Sequence, residues 1–373
     1  MISKNVDGFM TPRLSPILVS YTIDHIDKGK AMKGKNVAQV TFILILLALL
    51  SLGVGASPGS TWTRASLIQP PNGVDPERFS FDRVFFLPSG EGWATGRTPT
   101  GDPIPATARS QDGGQSWRFL PLVSGYRDFD SIIFLEANRG WASSMKCSQG
   151  SCEGVMLHTT NGGYTWTKWS TLALLKIQSI LDMLFDSKGN GIAVGLVMPG
   201  QYGVILRTTD FGKTWTTECS TNNYYFRRIA AHESSNWVLS QDKILLGENG
   251  RNWKTVLKRS GLGLSIDAPT AMSVVAVLDK GSVVLSEDKG RTWQEITLPS
   301  PYEHLHLGAV KFADPRHGWV AGHNGVILAT NDGGKTWEFE SQVKSYFLRD
   351  IAIVGSKVFV VGDDGAIYWR NRS

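Results

Sequence analysis

The 373-residue sequence predicts an all-β protein: a seven-bladed β-propeller of four-stranded blades. Three observations predict it. The first is an eight-residue turn that keeps returning: SQDGGQSW (Ser110–Trp117), TTNGGYTW (Thr159–Trp166), TTDFGKTW (Thr208–Trp215), SEDKGRTW (Ser286–Trp293) and TNDGGKTW (Thr330–Trp337). The second is a strand–turn–strand pattern that occurs seven times, from VFFLPSGEGWATG (Val84–Gly96) to IAIVGSKVFVVG (Ile351–Gly362). The third is the period of roughly 40–50 residues between copies, the length of one blade. Forty glycines, thirteen tryptophans and only 19% charged residues agree with many turns and aromatic packing units.

Three segments follow along the chain. Residues 1–36 form a basic extension with Lys28, Lys30, Lys33 and Lys35 at its end. Residues 37–56 (VAQVTFILILLALLSLGVGA) carry no charge and read as a signal-peptide h-region followed by the small residues Val54-Gly55-Ala56. An uncleaved membrane anchor is the alternative, since about twenty apolar residues span a bilayer. The length of the apolar centre favours cleavage after Ala56. Met32 offers a second start that would give a shorter signal. No Cys follows the h-region to serve as a lipid-attachment site. Under either reading the third segment, residues 57–373, is exported and forms the propeller. The net charge of +5 is concentrated in this leader: six of the 38 Lys/Arg and three of the 33 Asp/Glu lie in residues 1–56. The basic pI is therefore no sign of nucleic-acid binding.

Export also frames the three cysteines. Cys147 and Cys152 flank the turn-like SQGS, so they are placed to face each other across a hairpin as a disulfide. Two reduced loop cysteines are the alternative. Cys219 reads as a small buried residue. His304 and His306 have no third ligand in view, so no metal site is expected.

The repeated turn has a local chemistry. Its third position (Asp112, Asn161, Asp210, Asp288, Asp332) is an acid or amide that folds back onto backbone N–H groups. Its fifth is a glycine that permits positive φ. Its eighth (Trp117, Trp166, Trp215, Trp293, Trp337) buries an indole whose N–H needs an acceptor. A degenerate copy, LGENGRNW, ends at Trp253. The seventh unit stops before reaching its own turn, whereas Gly59-Ser60-Thr61-Trp62 resembles the end of one. The N-terminal strand is therefore expected to complete the last blade and close the ring.

No Ser–His–Asp order, phosphate loop or HExxH motif is present. The turn is an Asp-box, which sialidases share, but Phe226-Arg227-Arg228-Ile229 lacks the proline of their N-terminal element and lies in mid-chain. Phrases such as GWVAGHNGVILATNDGGKTW (Gly318–Trp337), repeated seven times behind an export signal, resemble the photosystem II stability/assembly factor family of cyanobacteria and chloroplasts. The resemblance covers residues 57–373. It implies a non-enzymatic, cofactor-free assembly factor of the thylakoid lumen or periplasm, monomeric and peripheral to the membrane. Its partner would be a protein, either photosystem II reaction-centre subunits or another membrane complex, met by an arginine-rich face.

That face is sought in the loops joining one blade to the next, where aromatics and arginines recur together. Tyr126 stands beside Arg127, Tyr225 beside Arg227 and Arg228, and Tyr346 near Arg349. Arg and Tyr are enriched at interface hot spots. Strand-edge packing and local ion pairs are the bland account of the same residues. A glycan-active or glycan-binding propeller is the competing class, and it requires an acid-lined central pocket.

Overall fold

The computed structural model describes residues 61–70, 74–98, 105–148, 151–172, 175–197, 202–221, 225–259 and 261–372. The leader, the h-region, Met32 and Gly59-Ser60 lie outside the described residues. Among the described residues there are seven sheets, each built on consecutive antiparallel strands. The inner strands are Ser80–Phe86, Ser131–Phe134, Ile177–Phe185, Phe226–His232, Gly263–Asp267, Leu307–Phe312 and Leu348–Val354, which we number as blades 1 to 7. Each packs against the inner strand of the next blade, and that of blade 7 packs against that of blade 1. The ring is closed.

The seam is closed by the N-terminus. Thr63 and Arg64 pair with Trp369 and Tyr368, supplying the outer strand that the C-terminal blade lacks. One strand was not expected. Ser66–Ile68 runs on to pair in parallel with Ser116–Phe119, giving blade 1 a fifth strand. The N-terminal segment thus straddles blades 7 and 1. Glu340 of blade 6 adds a further tie, accepting indole N–H bonds from Trp62 at 2.9 Å and Trp319 at 2.7 Å.

Second strands such as Gly318–Gly322 (GWVAG) are buried along their whole length because neighbouring blades cover both faces. The aromatic units then lock blade to blade. Trp93 of blade 1 stacks on Phe134 of blade 2 at 3.7 Å, and its N–H reaches the Gly162 carbonyl in the turn of blade 2.

The repeated turns satisfy themselves. In blade 6 the Asp332 carboxylate accepts from the N–H groups of Lys335 and Thr336 and from the hydroxyls of Thr330 and Thr336. The same set recurs at Asp112, Asp210 and Asp288, with Asn161 making the corresponding contacts to Thr159 and Thr165. Two hydroxyls, at the first and seventh positions, therefore complete a cage that the acid alone would leave open. Hydrogen bonds from the Thr292 hydroxyl and N–H hold the Asp288 carboxyl down at about 2. Blade 4 lacks the leading hydroxyl, and there the Asn236 side chain takes the Gly250 N–H at 2.7 Å instead.

The fifth-position glycine does more than permit φ. Gly114 has φ +84°, and a Cβ there would lie 2.1 Å from the Phe359 ring of blade 7. Gly334 likewise sits against Val275 of blade 5. Each turn is pressed on the preceding blade, so the position is closed to side chains twice over. One expectation fails. Trp117, Trp253 and Trp293 do donate to the carbonyl of the fifth-position glycine. The Trp166, Trp215 and Trp337 indole nitrogens are buried without an acceptor among the described residues. Their apolar packing outweighs the missing bond.

Cys147 and Cys152 are opposed across the hairpin of Gly140–Ser148 and Ser151–Thr159 and form a disulfide. Cys219 is half-buried, and burial pushes its thiol up.

Candidate functional site: the arginine-lined mouth

The heads of the inner strands share one irregularity. In six blades the register slips by one residue at Asp82, Leu181, Arg227, Leu264, Gly308 and Arg349, and blade 3 slips a second time at Gln178. A bulge of this kind re-aims a side chain out of the ladder. All six line one cavity of about 590 Å³ at the mouth of the ring, where Asp130 of blade 2 joins them. Every blade thus contributes to the same opening.

At four of these six bulges the next residue binds blades together. The Asp182 carboxylate of blade 3 accepts the Ile229 N–H of blade 4 at 2.9 Å, and Asp350 of blade 7 accepts the Val84 N–H of blade 1 at 3.0 Å. Ser265 of blade 5 accepts the Val310 N–H of blade 6 at 3.2 Å. Arg83 reaches from blade 1 to the Leu181 carbonyl. Arg228, deep in the same layer, donates to the Arg227 carbonyl near Asp182 and Asp350. Burial, with Arg83 beside it, brings its guanidinium down to about 9, still charged at neutral pH. Burial pushes the Asp350 carboxyl up against the pull of Arg83.

Of the residues singled out from sequence, Tyr225, Arg227, Arg228 and Arg349 come together in the mouth. Their settings differ. Arg349 is tied to Asp363 at 2.9 Å and faces Asp82 at 3.5 Å. Arg227 lies over the Tyr225 ring at 5.8 Å. Three residues stand outside the cavity lining. Arg127 is exposed on the rim, its N–H bound to the Met145 carbonyl of the disulfide hairpin. Tyr126 packs half-buried on the core beneath. Tyr346 is 65% exposed and meets His323 edge-on. Tyr224, in the same loop as Tyr225, lies outside the described residues.

The mouth is also lined by Arg97, which sequence reasoning passed over, and by Asp82, Arg83, Asp128, Asp130 and Phe347, which lie in the loops between blades but were not singled out as partner-binding residues. The signal was available by stacking the strand heads in register: FDRV, FDSI, ILDM, FRRI, GLSI, LGAV and LRDI, where the second residue of each faces the opening. Five arginines meet three aspartates there. Asp128 faces Arg97 at 3.5 Å, and burial pushes its carboxyl up. Burial likewise takes Asp130 up to about 6, against the pull of the Ser179 hydroxyl and Arg83. In this cavity the guanidinium groups outnumber the carboxylates. No cluster of His, Cys, Asp or Glu suited to a metal ion occurs among the described residues.

A closed ring of Asp-box blades with a charged mouth defines a BNR-type propeller. A family model described as photosynthesis system II assembly factor YCF48 matches residues 167–298 and 286–370, more than half of the sequence. The chain belongs to this family. It is 25% identical over 346 residues to the photosystem II assembly lipoprotein Ycf48 of Trichormus variabilis, covering 88% of this chain and 93% of the relative. It is 22% identical to the chloroplastic photosystem II stability/assembly factor HCF136 of Arabidopsis thaliana, over 83% of this chain and 68% of the relative. Among solved structures, one described as YCF48 bound to D1 peptide superposes with a TM-score of 0.63 at 22% identity, covering 84% of this chain and 97% of the other. That likeness is one of fold.

Proposed function

We propose that the protein is a non-catalytic assembly factor that binds a photosystem II reaction-centre protein through the arginine-lined mouth, on the exported side of a photosynthetic membrane. The observation that carries this reading is the convergence of five arginines with Tyr225 and Phe347 in one opening to which all seven blades contribute. Such a surface suits a protein segment, since Arg and aromatic side chains anchor interfaces. The relatives support the partner class: they are named for photosystem II assembly, and a related propeller is described with a D1 peptide bound. The leader supports export, to the thylakoid lumen or the periplasm. Tyr126, Arg127 and Tyr346 flank the opening as a wider rim, and the Asp-box residues serve architecture.

The test is capture. The tagged full-length chain, incubated with solubilised photosynthetic membranes, retains reaction-centre subunits. The double variant Arg227→Glu/Arg228→Glu loses at least tenfold in recovery. Undiminished recovery by a folded double variant removes the mouth from the reading. Recovery of an unrelated envelope complex removes the photosynthetic partner.

A further inference from the structure

The five mouth arginines are not equivalent, and the difference defines what the opening accepts. Arg349 is held by Asp363 and Asp82, and Arg97 faces Asp128. Arg83 is spent on the carbonyls of Asp82 and Leu181, and Arg228 on that of Arg227 beside the Asp182 and Asp350 carboxylates. Among the described residues, Arg227 alone of the five meets no carboxylate or carbonyl, and its guanidinium is braced on Tyr225. A guanidinium held in place on an aromatic face, with its donors unspent, is prepared for a carboxylate.

The blades on either side of Arg227 present leucines at the same level, with Gln178 of blade 3 the one polar side chain they add to the cavity lining. Blade 3 presents Leu181 and Leu196, and blade 5 presents Leu264, all half-buried in the cavity wall. Blade 6 presents Gly308, whose missing side chain leaves room for the Phe347 ring: a Cβ there would lie 2.7 Å from it. Among the described residues, Arg227 therefore sits as the unspent cation between leucines of blades 3 and 5, with an aromatic surface beyond.

We infer that the mouth recognises an extended peptide segment in which an acidic side chain, seated on Arg227, stands within a few residues of an aliphatic or aromatic one received by Leu181, Leu196 and Leu264. This rests on the mouth being the partner site, and it names the chemistry of the segment that enters. Charge complementarity supplies the orientation, and the leucine walls reject a segment that is acidic but otherwise polar. Arg349, by contrast, already has its Nε and Nη2 donors on the Asp363 carboxylate.

The test is selection of random peptides displayed against the immobilised full-length chain. The expected result is at least fivefold enrichment of Asp or Glu within three residues of Leu, Ile, Val or Phe. Arg227→Gln abolishes the acidic preference and keeps the apolar one, and Leu264→Ser weakens the apolar preference and keeps the acidic one. Absence of enrichment, enrichment of basic residues, or an acidic preference that survives Arg227→Gln overturns the inference. If reaction-centre capture succeeds while selection shows no such pairing, this inference alone fails. If selection shows the pairing and reaction-centre subunits are not captured, the proposed partner fails and the recognition chemistry stands.

Discussion

The Asp-box turns and the heads of the inner strands are produced by the same repeat, yet they obey opposite rules. In the turn around Asp332 nearly every hydrogen bond closes within seven residues, from Thr330 to Thr336. At the strand heads the bonds cross from blade to blade: Asp350 to Val84, Asp182 to Ile229, Arg83 to Leu181. A self-contained turn needs the same residues in every copy. A strand head needs only a bulge and a residue that suits its neighbours, so its identity is free to vary around the ring. Regularity marks what builds the blade, and irregularity marks where seven blades can present seven different groups to one ligand.

The largest test of that contrast is Trp117→Ala. The indole is fully buried and bound to Gly114, so its loss is expected to destabilise the fold by about 3–5 kcal/mol. Partner affinity per folded molecule stays unchanged. Thermal unfolding measured beside reaction-centre capture separates the two, and a selective loss of capture would break the division. Next in size is Asp350→Ala, which strips the acceptor from Val84 N–H and the counter-charge from Arg83. It is expected to cost about 2–3 kcal/mol and to disturb both stability and capture, because this residue ties blade 7 to blade 1 directly beneath the mouth. A variant that loses stability but keeps full capture would show that the layer under the mouth is cement alone.

How far each region could be read in advance follows from the same physics. The turn was legible because its chemistry is local: Asp332, Gly334 and Trp337 carry their roles wherever they stand in the chain. The ring closure was legible because Trp62 repeats the last residue of a turn and the seventh unit lacked one. The role of Gly114 against Phe359 was not, since those residues are more than 240 apart and meet only when the ring closes. The mouth was half legible. Clusters such as Tyr225-Phe226-Arg227-Arg228 announced themselves, whereas Asp82, Arg97 and Leu264 are single residues made neighbours by bulges. The sequence also offered no ground for ranking the arginines, because Arg349 pairs with Asp363, in the turn that follows the adjacent strand, rather than with its own neighbour Asp350.

The disulfide hairpin gives a smaller test at the rim. Cys147→Ser/Cys152→Ser opens a six-residue loop, and the chain-entropy relation puts the loss at about 2 kcal/mol. Arg127 is held to this hairpin by its N–H on the Met145 carbonyl and its own carbonyl under the Ser144 hydroxyl at 2.8 Å. Freed of the bridge, the rim loosens while the mouth keeps its form. Peptide binding in the cavity is expected to persist, and capture of the whole reaction-centre protein to weaken by a few fold. Equal loss of both would place the hairpin within the binding site proper.

The smallest effect is a pH dependence that the turn and the mouth should show with opposite sign. In the turn, Asp288 has its carboxyl drawn down to about 2, so its contribution to stability is intact above the unfolded value near 4 and is lost as pH falls from there through 2. In the mouth, burial lifts Asp130 to about 6, so its charge opposes folding above that value, and the penalty disappears as pH falls from 6 toward 4. The Asp130 carboxylate also shares the cavity with the arginines, and neutralising it leaves the opening more positive. Binding of an acidic segment is therefore expected to tighten about threefold from pH 7.5 to pH 5.5, the size of a screened interaction across a solvated cavity. Asp130→Asn, which removes the titrating charge and keeps the shape, should flatten that dependence and hold the tighter value throughout. Fluorescence anisotropy of a selected acidic peptide across this range measures it. A dependence unchanged in Asp130→Asn would move the titrating group to Asp128, the other mouth carboxylate lifted by burial.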